Sequence, residues 1–390
     1  MGNRKLLFRE AFYCMLFSFV VLGIASFILV NLSIFNPFAN AFKDFSFLDL
    51  FYTEKMGEEY PVNQEIILVN IEHRDRFELA ELLDHIQQQQ PKVIGVDLIF
   101  REEREAFSDS LLKLQLQKPN VVNSFAFVGD GIVSNDEFFR NKTTTEGYSN
   151  INFDAENGVI REFEGVSEIQ NKKVYSFPVK VAQQVLSTKE FSAIEKKLQQ
   201  SNTIKYYGGQ PHFLTFGFDE VMEDEALPIL KDKIILLGYL GVPLGNPFDV
   251  EDKHFTPLNA KAVGKSIPDM NGIVIHANTL QMLLTNDFIY KVPNWILILI
   301  TVLLTYISLV YFIQLNKKAK ARYTFTKKLV QLFFTVVFLY IALYLLTADI
   351  YLKSTGIIAV CLLSVECIGI YLILIKYLKT KYAWKSYIYQ

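Results

Sequence analysis

The chain has 390 residues, 51% apolar and 21% charged, with a mean hydropathy of +0.21. That is too apolar for a disordered chain or an ordinary soluble enzyme, and three cysteines exclude a disulfide scaffold. The net charge of −2 hides a segregation: residues 1–37 carry +2, residues 292–390 carry +9 and residues 38–291 carry −13. An acidic middle between two basic, apolar ends is the charge map of a membrane protein. Such a middle block repels phosphates, which excludes nucleic acid as its partner.

Four stretches are long enough for a hydrocarbon core, which takes roughly 20 apolar residues. They are about 11–34, 293–315, 329–347 and 354–375, the last interrupted by Glu366. The loop 316–328 holds six basic residues and no acid, the tail 376–390 four lysines, and the N-terminus three basic residues. Four spans put all three on one side, which the positive-inside rule makes cytoplasmic. The expected organisation is a cytoplasmic N-terminus and first span (1–37), an extracytoplasmic domain (38–291), three spans (292–376) and a basic cytoplasmic tail (377–390). The expected location is the cytoplasmic (inner) membrane, with the bilayer as a partner and the acidic domain on its periplasmic side. Ala39-Asn40-Ala41 fits a cleavage site. The apolar core before it exceeds a signal h-region, so an uncleaved anchor is favoured. Cys14, Cys361 and Cys367 all fall in spans, which argues against thiolate chemistry outside.

The acidic block opens with a polar-aromatic lead-in over 38–64 and then reads as α/β. Residues 65–71 (EIILVNI), 93–100 (VIGVDLIF) and 120–128 are apolar runs of the kind buried on both sheet faces. Between them, 75–90 carries a helical stripe of Phe77, Leu79, Leu82, Leu83 and Ile86, stopped by Pro91, and 103–117 reads as a second helix. Alternating strands and helices imply a parallel sheet. Further on, 148–166 predicts a hairpin around Asp154-Ala155-Glu156-Asn157-Gly158, 177–186 and 188–200 predict helices, and 203–207 a short strand. Residues 233–238 predict a buried strand running into a loop with Gly238, Gly241 and Gly245. Residues 273–275 predict a last strand and 277–284 a helix leading almost directly into the second span. The fold class is therefore an α/β domain with a mainly parallel sheet, plus an all-α membrane region of four helices.

Ligands gather at the carboxyl ends of parallel strands. Glu72 ends the first strand, Asp97 lies near the end of the second, and the glycine loop follows a later one. Asp97 reads more simply as a turn cap or structural anchor. The glycine loop lacks the GxxxxGK[ST] spacing and contains Pro243, so it reads as a structural turn. Asp249-Val250-Glu251-Asp252-Lys253-His254 is the densest ligand-like cluster, but it has no second histidine pair and reads more simply as a solvated loop. All five histidines (His73, His85, His212, His254, His276) lie in the acidic block. They could report extracytoplasmic pH, although His276 between Ile275 and Ala277 reads as a core residue. No GxSxG serine and no extracytoplasmic cysteine offers a nucleophile, so neither an enzyme nor a cofactor is expected. Glu366 is a candidate intramembrane polar site, with a protonated carboxyl bonded to a neighbouring helix as the simpler reading.

Seven segments, in order, are IILVNIE (66–72), PKVIGVDLIF (91–100), GYSNINFDAENGVIRE (147–162), SFPVKVAQQVL (176–186), KIILLGYLG (233–241), DKHFTPL (252–258) and MNGIVIHANTLQMLL (270–284). With these the block resembles the second type of CHASE domain, the cyclase- and histidine-kinase-associated extracellular sensory domains. The last three are the most specific, above all Gly272-x-x-x-His276-Ala277-Asn278. One span before the domain and three after it is also the family's usual arrangement. This chain has Ile71-Glu72 where the family typically has Ile-Asp.

The resemblance implies ligand sensing, with Glu72, Asp97, Asp252, His254, Thr256, His276 and Asn278 as the expected ligand-binding set near the later strand ends. Family members commonly continue into a cytoplasmic output domain, whereas 15 residues follow Ile375 here. The expectation is a sensor-like subunit that binds an unidentified ligand or protein outside and relays to a separate membrane or cytoplasmic partner, with homodimerisation open. The rival reading is a structural or accessory subunit of an envelope complex that uses the domain for docking, because fold does not fix function.

Overall fold

The computed structural model describes residues 2–31, 48–49, 51–52, 61–151, 158–169, 171–223, 227–242, 250–259, 267–318, 322–382 and 384–389. Packing divides the chain into two units, Leu48–Ile289 and Met1–Phe47 with Tyr290–Gln390. The second begins with helix α1 (Gly2–Asn31).

The Leu48–Ile289 unit is a layered α/β fold. Its elements are β1 (Asn63–Asn70), α2 (Arg76–Gln88), β2 (Val93–Val96), α3 (Ala106–Leu116), β3 (Val121–Val128), β4 (Gly131–Val133) and β5 (Thr145–Tyr148). Then come α4 (Phe177–Val185), α5 (Thr188–Glu195), β6 (Phe213–Phe216), α6 (Phe218–Glu223), β7 (Ile234–Gly238) and α7 (Gly272–Thr285). The sheet order is β6-β1-β7-β2-β3-β4, with β5 also paired to β3. Every pairing is parallel except β3 with β4. The sheet is therefore mixed but mostly parallel.

Why the strands read as unbroken apolar runs follows from the two helical layers. Ile67, Val69, Ile94, Val96, Ile235 and Leu237 face a core built with α2, α3 and α6. The opposite face meets α4 and α7. A Cβ on Gly95 would lie 2.8 Å from the Phe177 ring and one on Gly238 would lie 2.7 Å from Ile273. Both faces exclude water, so alternation is absent. A capping box starts α2, with the Asp75 carboxylate accepting from the Glu78 N–H at 2.9 Å.

Several expectations change. The second strand stops at Val96 rather than Phe100. Residues 154–157 lie outside the described residues, and their flanks do not pair as a hairpin. Thr145–Tyr148 runs parallel to β3, and Glu162–Phe163 pairs with Asn202–Thr203. Strand β6, next to β1, was not foreseen, and the strand expected over 203–207 shrinks to Asn202–Thr203. Residues 273–275 are helical. The apolar IVI run mimics a strand because nearly every side of α7's first half is buried. This helix is also not continuous with the next one. It ends at Thr285 with Asn286 left-handed (φ 54°), and helix α8 starts at Asn294.

In the other unit, α8 (Asn294–Lys318) is followed by α9 (Tyr323–Thr347), α10 (Ser354–Glu366) and α11 (Ile368–Tyr382). Residues 3–27 of α1, together with α8 and α9, are long and apolar enough to cross a membrane. Helices α10 and α11, bent by 41°, make up to a fourth if counted as one span. Tyr290–Lys291 pairs in parallel with Ile350–Tyr351, which brings the start of α8 beside the α9–α10 turn. The residues 384–389 fold back on α1. Buried Glu10 accepts from the Ser386 hydroxyl at 2.9 Å and from the Tyr387 N–H.

Candidate functional site

The parallel strands deliver their carboxyl ends to one edge, and a cavity of about 410 Å³ opens there. Asp97 follows β2, Ser124 lies in β3, Ser149 follows β5 and Tyr239 follows β7. The Asp97 N–H bonds to the Leu237 carbonyl at 2.9 Å, continuing the β2–β7 ladder by one residue. From above, α7 contributes Gly272 and His276, one helical turn apart, and Asp252 and His254 come from the segment that pairs with Met270–Asn271. Leu98, Ile99, Arg101 and Ile151 complete the wall.

Four of the seven ligand-binding candidates thus line one cavity: Asp97, Asp252, His254 and His276. His276 Nε2 stands 3.8 Å from Asp97 Oδ2, and His254 Nε2 stands 3.8 Å from Asp252 Oδ1. The side chains of His276 and Asp97 are only 6% and 17% exposed. Burial is the main cause that pushes the Asp97 carboxyl up to about 7; Asp252 adds to it, and hydrogen bonds from Ser124 and Ser149 oppose it. Burial likewise lowers the His276 imidazole to about 4. Near neutrality the floor of the cavity is a carboxyl on the edge of ionising beside an uncharged imidazole. The Phe177 ring stands edge-on to His276 with centroids 5.4 Å apart and seals it from behind.

Asp252 has a second task. Its backbone is left-handed (φ 53°), and its carbonyl and Oδ2 accept from the Gly272 N–H at 3.1 and 3.2 Å. It therefore closes the first turn of α7, where a carboxylate also suits the helix dipole. Gly272 leaves room for it: a Cβ there would lie 3.3 Å from both Asp252 carboxylate oxygens.

The other three candidates hold the fold. Glu72, also left-handed (φ 51°), pairs with Arg74 at 2.9 Å. Arg74 in turn reaches Glu78 and Asp219. Fully buried Thr256 bonds to the Asp269 carboxylate through its N–H at 2.9 Å and its hydroxyl at 2.5 Å. Asn278 accepts from the Tyr207 N–H at 2.8 Å and donates to the Gly208 and Val274 carbonyls at 3.0 and 2.9 Å. His212 lies outside this cavity, bonded through Nε2 to Gln281 at 3.1 Å. Asp249, Pro243 and Gly245 lie outside the described residues, as does the 39–41 cleavage motif. Among the described residues no three His, Cys, Asp or Glu side chains are placed to hold a metal ion.

Ser124, Ser149, Arg101 and Tyr239 were not anticipated. A signal for Ser124 exists, since Asn123-Ser124 interrupts an otherwise apolar strand, as Asp97 interrupts VIGVDLIF. Asn70 was also missed. Its side chain donates to the Gly241 carbonyl at 2.7 Å and accepts from the Leu240 and Glu72 N–H groups at 2.9 and 3.1 Å. It ties the end of β1 to the loop that carries Tyr239. Asn70→Ala is expected to cost about 1–2 kcal/mol by orphaning partly buried backbone groups, and to raise hydrogen exchange over residues 239–242 selectively. Unchanged exchange there would show that the loop does not depend on Asn70.

Glu366 is not a lone acid in mid-span. It ends α10 at the bend, 2.6 and 2.7 Å from Lys327 and Lys328 of α9, and accepts from Gln331 at 3.2 Å. Its partners all come from the neighbouring helix α9.

Residues 21–311 match the family described as the CHASE2 domain. The match spans most of the chain, and the protein belongs to the CHASE2 family. This is a family of extracellular sensory domains, and the apolar helices are consistent with a membrane protein. No curated protein and no solved structure matches the chain.

Proposed function

We propose that the chain is a multi-pass sensor of the cytoplasmic membrane. Its CHASE2 domain faces outward and binds a small ligand in the Asp97–His276 cavity. Both termini lie in the cytoplasm, and a separate cytoplasmic partner produces the output. The observation that carries the reading is the cavity itself. A buried carboxyl and a buried imidazole sit together at the carboxyl edge of the sheet and line an open cavity there. The helices, the basic segments around them and the family support the membrane location. Binding would reach the membrane through residues 286–293, and a ligand shifts that equilibrium only by its differential affinity for two states. No catalytic step and no cofactor enters this scheme.

Affinity purification from native membranes in mild detergent tests the scheme. A stoichiometric cytoplasmic kinase, cyclase or other regulator is the expected companion. A stable set of envelope proteins instead would make the chain a scaffold subunit. Topology is checked separately. Cys14, Cys361 and Cys367 are buried, so an introduced thiol dominates labelling. Lys142→Cys is expected to react with a membrane-impermeant maleimide in intact cells, and Lys318→Cys only after lysis. The opposite pattern would invert the proposed orientation.

A further inference from the structure

Resting on the cavity reading above, we propose that the ligand carries an N–H-bearing ammonium group, in the class of small organic amines that includes amino acids. Asp97 and Asp252 both face the cavity. Among the described residues Asp97 has no lysine or arginine within ion-pair distance; its nearest basic group is the His276 imidazole. That ring is uncharged near neutrality, because burial holds its pKa at about 4. A buried carboxylate without a counter-ion is costly, and an arriving cation removes that cost.

The geometry selects the kind of cation. No three ligating side chains converge among the described residues, so a bare metal ion would be poorly held. An ammonium needs less: one carboxylate and hydroxyl oxygens to accept its N–H groups, which Asp97, Ser124 and Ser149 supply. Tyr239, Leu98, Ile99 and Ile151 give the carbon skeleton an apolar wall. The volume of about 410 Å³ lies in the range of small-molecule pockets. Arg101, exposed at the rim and without a hydrogen bond or ion pair among the described residues, leaves a place for a carboxylate at the ligand's other end. The surrounding block carries −13, which draws cations toward it.

Binding then has a proton signature. Asp97 is half-protonated near pH 7 when empty, and an ammonium beside it expels that proton to solvent. Asp252, His254, His276, Arg101 and Tyr239 are the other titratable or charged groups facing it, and His276 is already neutral over the relevant range.

The test measures the thermal midpoint of the full-length protein in detergent. The probes are 2-aminoethanol, putrescine and glycine, compared with choline, acetate, succinate and glycerol at matched millimolar concentration. At least one N–H-bearing amine is expected to raise the midpoint. Its apparent affinity is expected to be about tenfold or more weaker at about pH 5.5 than at about pH 8. Asp97→Asn is expected to abolish the shift; if that variant does not fold, the wild-type pH series decides alone. An amine shift that ignores pH and survives Asp97→Asn overturns the assignment. A shift with succinate, acetate or glycerol but no amine also overturns it, and leaves the cavity standing as a binding site for another class. No shift with any probe removes both the ammonium assignment and the small-molecule reading of the cavity.

Discussion

Asp97→Asn and His276→Gln are expected to tilt the pH dependence of stability in opposite directions. In the folded protein the Asp97 pKa is raised to about 7, so the stability it contributes is present below the ordinary carboxylate range and is lost as pH rises through 7. The His276 pKa is lowered to about 4, so its contribution is present above about pH 6.5 and is lost as pH falls through 4. Between about pH 4 and 6.5 the unfolded chain holds a carboxylate and an imidazolium, and the folded one a carboxyl and a neutral imidazole. Both states then bind the same number of protons, and the pair adds no slope.

Removing one partner uncovers the other. With Asp97→Asn, stability should rise with pH by roughly 1.4 kcal/mol per unit from about pH 4 to 6.5. With His276→Gln it should fall by a similar slope up to about pH 7. Hydrogen exchange of the β1 and β7 amides, corrected for intrinsic rates, reads this out in the full chain. Trp295 and Trp384 cannot, because both lie outside the Leu48–Ile289 unit. Strong destabilisation by both substitutions at every pH would mean a charged Asp97–His276 pair, and would remove the neutral floor on which the cavity argument rests.

Phe177→Ala is expected to be the most damaging core truncation near the site, at about 3–5 kcal/mol. The ring is fully buried and reaches beneath Gly95, while the Phe177 backbone packs against Gly147. A Cβ on Gly95 would lie 2.8 Å from its Cζ, and one on Gly147 would lie 2.7 Å from the Phe177 Cα. The same ring backs His276, so its loss also opens the imidazole to water. The His276 pKa should then climb toward its ordinary value and the acid-side loss of stability should shrink. Gly147→Ala tests a neighbouring contact, between β5 and the start of α4. Its clash is with backbone, which no rotamer relieves, and a cost of about 2 kcal/mol or more is expected. A cost below about 1 kcal/mol for Phe177→Ala, again by exchange of the central strands, would show that the layer under the cavity is not closely packed.

Much of this protein was determined by its sequence. The charge segregation and the long apolar stretches mark the helices that suit a membrane, because burying charge in hydrocarbon is prohibitive. The mainly apolar, non-alternating runs at β1, β2, β3 and β7 mark a sheet covered on both faces, because one exposed face would have enforced alternation. Asp97, Asp252, His254 and His276 were legible as candidates, and the fold places all four around one cavity.

Sorting that set required the tertiary structure. Glu72, Thr256 and Asn278 look identical to the others in sequence, and only their partners Arg74, Asp269 and the 207–208 backbone show that they hold the fold. Ser124, Ser149, Arg101 and Tyr239 come from four separate segments, and no local pattern announces that parallel strands bring them to one edge. The same holds for residues 273–275, whose apolar run fits a strand or an all-round buried helix equally well. Packing against the sheet and the Asp252 bond to the Gly272 N–H select the helix, and with it the face that turns His276 toward Asp97.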